Sequence, residues 1–131
     1  MQYELEMRIP ELPVSLNILL RMHWQKRNRY NNHWYKQISL ASNGKKPKKE
    51  LEQFKLTFIR YSNRFLDFDG CVGSLKPIVD GLIHAGIIKD DSYKMTGPWD
   101  VSQEYLPKSQ GQYIYIKVTD WGAYGEEDSE G

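Results

Sequence analysis

The sequence predicts an α+β fold: a small mixed sheet of about four strands with two helices packed on it. Three observations predict it. Alternation of apolar and polar residues marks strands in "YELEMRI", "FKLTFIRYS" and "QYIYIKVTDW". Two segments between them carry apolar residues at helical spacing and end at Asn-Gly or Ala-Gly. A length of 131 residues, 40% hydrophobic and 27% charged, suits one soluble core.

In chain order, Tyr3, Leu5, Met7 and Ile9 share one side of the first strand, which Pro10 and Pro13 end. Residues 14–28, "VSLNILLRMHWQKRN", have little periodicity and read as a long loop. A helix spans residues 31–41, with Trp34, Ile38 and Ala41 on its inner side and Asn43-Gly44 as its stop. "GKKPKK" is a basic turn. "FKLTFIRYS" has bulky residues on both sides and reads as a central strand buried on two faces. After an acidic loop, a second helix spans residues 75–85. Ser74 is its expected N-cap, Pro77 falls in its first turn, and Gly86 stops it. Leu75, Ile78, Val79 and Leu82 form its core stripe. An extended region over 101–106 and the strand in "QYIYIKVTDW" complete the order β-α-β-α-β-β. The domain is expected over residues 1–121. The acidic tail 122–131 lacks the apolar content to fold and is expected to be disordered.

Composition excludes several classes. No apolar run approaches the roughly 20 residues of a membrane helix, and "MQYELEMRIP" lacks the order of a signal peptide, so no membrane partner and a cytoplasmic location are expected. Cys71 is the one cysteine, which forbids an internal disulfide and agrees with a reducing compartment. With three scattered histidines, a structural zinc site is not expected, and any metal would be a hard cation on carboxylates.

The formal net charge of +1 hides a segregation. From Arg21 to Lys49 the chain carries nine bases and no acid: Arg21, Lys26, Arg27, Arg29, Lys36, Lys45, Lys46, Lys48 and Lys49. Such a block is a footprint for a polyanion, or else a solvated basic surface. As a DNA contact, its expected members are Arg21, Lys26, Arg27, Arg29, Lys45, Lys46, Lys48 and Lys49, binding phosphates with counterion release. Trp24, Tyr30 and Tyr35 are interleaved with them and would stack on unpaired bases, while Trp34 belongs to the core.

Residues 65–91, "FLDFDGCVGSLKPIVDGLIHAGIIKDD", hold five of the seventeen acidic residues. The start looks like the nucleophile segment of haloacid dehalogenase-like phosphatases. "RYSNRFL" is too polar to end their buried strand, however, and too little chain follows for their doubly wound fold. A metal cage fits better. Along an extended segment Asp67 and Asp69 would face the same side, and Asp90 and Asp91 could return to them after the helix. Three or four gathered carboxylates repel unless a cation such as Mg²⁺ or Mn²⁺ joins them. Lys76 falls in the first helical turn, where the helix dipole disfavours a cation by up to about 1 kcal/mol. That placement suits holding a scissile phosphate beside a metal. The alternative is an i,i+4 pair with Asp80, and both can hold if Asp80 orients Lys76 by pairing with its ammonium. His84 reads as surface or structural.

The pattern Asp67-Phe68-Asp69, Lys76, Asp80 and Gly86-Ile87-Ile88-Lys89-Asp90-Asp91 resembles the RusA family of Holliday junction resolvases, and "IPELPVSLN" resembles that family's strand and proline-rich loop. The resemblance covers nearly the whole chain, with residues 67–91 its specific part. It implies a homodimeric, Mg²⁺-dependent endonuclease resolving four-way DNA junctions by paired nicks. It also implies that Asp67, Asp69 and Asp91 are metal-binding and catalytic, with Asp90 beside them as a further carboxylate, and that Lys76 is the essential lysine. The chain departs from the family pattern in three places. Gly70 stands where the family has Asn, "GCVGSL" lengthens the loop before the lysine, and Leu66 occupies a position where a base is expected. Two other readings stay open: a junction-binding module that does not cleave, and a metal-dependent nuclease of flaps or forks.

Overall fold

The computed structural model describes residues 3–89 and 96–122. The expected α+β architecture is present as a four-stranded mixed sheet with helices on one face. The elements are β1 (Glu4–Ile9), α1 (Leu16–Arg21), α2 (Trp24–Ala41), β2 (Phe54–Ser62), α3 (Phe68–Gly73), α4 (Lys76–His84), β3 (Thr96–Tyr105), a 3₁₀ turn (Lys108–Gln110) and β4 (Tyr113–Asp120). The spatial order is β1-β4-β2-β3. β4 runs antiparallel to both neighbours, and β3 runs parallel to β2.

Period-2 patterning builds the sheet. Leu5, Met7 and Ile9 from β1, Phe54, Leu56 and Phe58 from β2, and Ile114, Ile116 and Val118 from β4 all point to one face. Trp34 and Ile38 of α2 and Ile78, Val79 and Leu82 of α4 close over them, all buried, so Trp34 is a core residue as expected. Gly81 lets the two helices approach: a Cβ there would stand 3.1 Å from the Ile38 side chain.

Five local expectations need correction. Residues 14–28 are largely helical, not a loop. Ser15 accepts a hydrogen bond from the Ile18 amide to start α1, and His23 accepts one from the Gln25 amide to start α2. α1 buries only Leu19, which leaves no apolar stripe to read. β2 is central, but helices cover one face only, and Lys55, Thr57, Ile59 and Tyr61 on the other are half-buried. There Tyr61 stacks on Tyr113 at 4.5 Å, with Arg8 over the Tyr113 ring. Ser74 is not the cap of the second helix, because its hydroxyl donates to the Cys71 carbonyl inside a turn. α3 precedes α4 directly, so Ser74 and Leu75 are already in helical conformation and no extended cap residue is needed. β3 begins earlier than expected, and the third helical segment, α3, lies in the expected acidic loop. The expected tail falls almost wholly on residues 123–131, outside the described residues. No helix among the described residues is long and apolar enough to cross a membrane.

Candidate active site

The acidic segment leaves the carboxyl end of β2, the end of a parallel pair where open α/β sheets place ligands. It is held on both sides. The Ser62 hydroxyl accepts from the Arg64 amide, and the Ser62 carbonyl accepts from the Leu106 amide. Gln103 of β3 grips the Leu66 peptide twice: its Oε1 accepts the Leu66 amide at 2.9 Å, and its Nε2 donates to the Leu66 carbonyl at 2.8 Å. The chain therefore reaches Asp67 with a fixed backbone.

Asp67 then caps α3 in extended conformation, and Asp69 lies in the first turn. The expected strand-like alternation of the two is thus replaced by a cap and a helical position. Both are exposed, and neither takes an ion pair among the described residues. Asp67 folds back over Gly70, where an added Cβ would lie 2.6 Å from its Oδ1. Gly73 meets α1 closely: a Cβ there would stand 2.7 Å from Leu16 Cβ. The family's Asn could not replace Gly70 in this arrangement without moving the Asp67 carboxylate.

Beneath α3 lies a network that sequence reasoning missed. Arg60, 9% exposed, donates from Nη1 to the Pro13 carbonyl at 2.7 Å, and the Tyr30 hydroxyl accepts the Val14 amide at 2.8 Å. These bonds fix the loop 13–15, bringing Ser15 to 3.8 Å from the position of a Cβ on Gly70. The proline-rich loop and the acidic segment, distant in sequence, meet here. Burial pulls the Arg60 pKa below its ordinary value, with Cys71 and Tyr30 opposing the shift. Burial pushes the Cys71 thiol up, which leaves it a packed neutral group. An arginine at an inward register position of an apolar strand was the available signal for Arg60. Gln103 gave none.

Lys76 opens α4 and pairs with Asp80 at 3.2 Å, the i,i+4 contact expected for that spacing. The pair borders a cleft of about 220 Å³ lined also by Leu16, Leu20, Arg27 and Asn31, with Gly73 of α3 in its wall. Tyr35 stands over the same helix face, stacked at 5.0 Å on His84, which is exposed, in keeping with the surface or structural reading. Burial raises the Tyr35 pKa, and the Asp80 charge raises it further.

Asp67 and Asp69 are hard oxygen donors open to solvent, the chemistry that Mg²⁺ accepts from one or two carboxylates while keeping its waters. Among the described residues no three His, Cys, Asp or Glu side chains gather into a cage. Asp90 and Asp91, the other expected carboxylates, lie outside the described residues.

Of the expected DNA contacts, Arg21, Lys26, Arg29, Lys45, Lys46, Lys48 and Lys49 are exposed and take no ion pair among the described residues. Arg27 is half-buried and turned inward: its Nη2 donates to the Leu20 and Met22 carbonyls, satisfying the end of α1. Tyr30 is likewise committed to the core edge and the Val14 amide, so it is not free to stack on a base. Trp24 is 63% exposed. The basic turn is tied to the far end of α4. The Leu51 amide donates to Ile87, the Lys89 amide donates to Leu51, and Leu51 and Ile88 form a parallel bridge. Lys48 and Lys49 thereby line a hollow of about 440 Å³ with Gly86 and Lys89, one residue before Asp90.

No protein-family model matches the chain, and no curated protein sequence matches it.

Proposed function

We propose that this chain is a Mg²⁺-dependent endonuclease of the RusA type, acting as a homodimer on four-way DNA junctions. One observation carries the reading. Two carboxylates without an ion pair among the described residues, Asp67 and Asp69, stand on a segment fixed at the end of a parallel strand pair, and the α4 helix beyond α3 opens with Lys76. The exposed bases Arg21, Lys26, Arg29, Lys45, Lys46, Lys48 and Lys49, on a stretch of sequence without acids, support a polyanionic substrate.

Asp67 and Asp69 would hold the cation, joined by Asp91 and Asp90 if the sequence pattern carries over. When bound, Mg²⁺ supplies an activated water and charge stabilisation for phosphodiester hydrolysis. Lys76 offsets negative charge developing on the phosphate, and Asp80 holds the Lys76 ammonium in place. Arg21, Lys26, Arg29 and the lysines of the basic turn neutralise flanking phosphates. Two copies related by a two-fold axis would match a junction's two-fold symmetry and nick opposing strands.

The test is cleavage of mobile and fixed four-way junctions, duplex, flap and fork DNA with Mg²⁺, beside Asp69→Asn. Junction nicking that Asp69→Asn abolishes, with binding retained, supports the proposal. Binding without cleavage by the wild type would point to a binding module. Preferential cleavage of forks or flaps would point to the other nuclease reading.

A further inference from the structure

Phe65 is 61% exposed and Phe68 is 72% exposed, and between them sits Asp67. Neither ring takes an aromatic partner among the described residues, and neither joins the core cluster. Large aromatic rings left in water beside a candidate active site are informative, because burying apolar surface is favourable. Nor are they on a slack loop. The Gln103 grip on Leu66 lies between them, Ser62 holds Arg64, and α3, which begins with Phe68, is locked at Gly70 and Gly73. The rings are displayed from a rigid mount.

The charges around them select the occupant. Arg64, beside Phe65, is exposed and without an ion pair among the described residues, and Asp67 and Asp69 are exposed in the same stretch. An apolar peptide covering both rings would desolvate the two carboxylates with no countercharge. A nucleobase covers a ring face alone. It leaves the carboxylates open to a cation, and the exposed Arg64 supplies positive charge for its phosphate.

We propose that Phe65 and Phe68 are a stacking platform for DNA bases that have left the helical stack at a branch point, recognising junction structure beside the carboxylates. This deepens the nuclease reading and rests on it for the choice of DNA. Phe68 follows Asp67 directly, so a base seated there brings its backbone to the carboxylates, whereas the bases of intact duplex are stacked and unavailable.

The experiment compares wild type, Phe65→Ala/Phe68→Ala and Phe65→Trp/Phe68→Trp on a four-way junction carrying 2-aminopurine at the branch point and on a duplex of the same sequence. The double alanine variant should lose the 2-aminopurine emission change and weaken junction binding about 10-fold or more. Its duplex affinity should stay within about twofold and its melting temperature should not fall. The tryptophan variant should restore junction preference. Equal loss on junction and duplex, or no loss on either, overturns the platform. So does a self-association that the alanine variant abolishes, which would make the patch a contact between copies. A wild type that shows the emission change without nicking refutes the nuclease reading and leaves the platform standing. A wild type that nicks junctions while the alanine variant keeps full junction preference refutes the platform alone.

Discussion

Gly70 fits its place because of what lies beside it. A Cβ at this position would meet the Asp67 carboxylate oxygen, the movable end of a side chain, so the clash resolves by displacing the carboxylate and not the backbone. Gly70→Ala should therefore fold as well as wild type, or up to about 1 kcal/mol better for an alanine within a helix. Cleavage should fall about 100-fold, the scale expected for a group shifted by about 1 Å, with part of the loss recovered at high Mg²⁺. Thermal melting and a Mg²⁺ titration of the nicking rate check both halves. Lys76→Ala separates chemistry from affinity. It removes an i,i+4 pair worth about 0.3–0.5 kcal/mol and a cation opposed to the helix dipole, and these nearly cancel in stability. Junction binding should stay within a few-fold while the single-turnover rate drops about 100-fold or more, near 2.7 kcal/mol. A wild-type rate in the bound complex would remove Lys76 from the chemistry.

At the scale of elements, Gln103 joins β3 to the segment before α3. Gln103→Ala leaves the Leu66 amide and carbonyl without their partners, a loss of about 1–3 kcal/mol if they stay dry. It should speed hydrogen exchange of the Leu66 amide and lower cleavage while the β2–β4 amides keep their protection. Gln103→Glu preserves the acceptor but not the donor and should fall between alanine and wild type. Exchange at Leu66 unchanged in the alanine variant would remove the grip. This contact also marks where sequence reading stops. The strands and the α4 core stripe were legible, because alternation and 3.6-residue spacing are local signals that burial then confirms. α1 and the start of α2 were not, since Ile18, Leu20 and Trp24 stay exposed and erase the periodicity of an amphipathic helix. Asp67 and Asp69 were recognisable as carboxylates two residues apart, but not as cap and first turn. That conformation depends on Gly70 and Gly73 meeting Asp67 and Leu16. The Gln103 and Arg60 contacts join residues 37 and 47 positions apart, and no local pattern encodes them.

Over the whole molecule, the basic turn belongs to the same surface as the end of α4 because the Leu51–Ile88 bridge fastens them together. Changing Lys45, Lys46, Lys48 and Lys49 together to Gln should reduce the slope of log affinity against log salt by about 3–4 if all four meet phosphates, near 0.9 for each in duplex DNA. Stability should barely change, since all four are exposed and unpaired among the described residues. An unchanged slope would take the turn away from the DNA. The strand order has a consequence for how the chain is made. β4, the last in sequence of the described strands, lies between β1 and β2, so β1 has no neighbour in this sheet until β4 emerges from the ribosome. The β2–β3 pair and the mount of Asp67 can form earlier, with the β2 edge that β4 pairs with still open. Synthesis thus completes the edge that carries no candidate catalytic group last, and the nascent chain spends its most aggregation-prone interval waiting for residues 113–120.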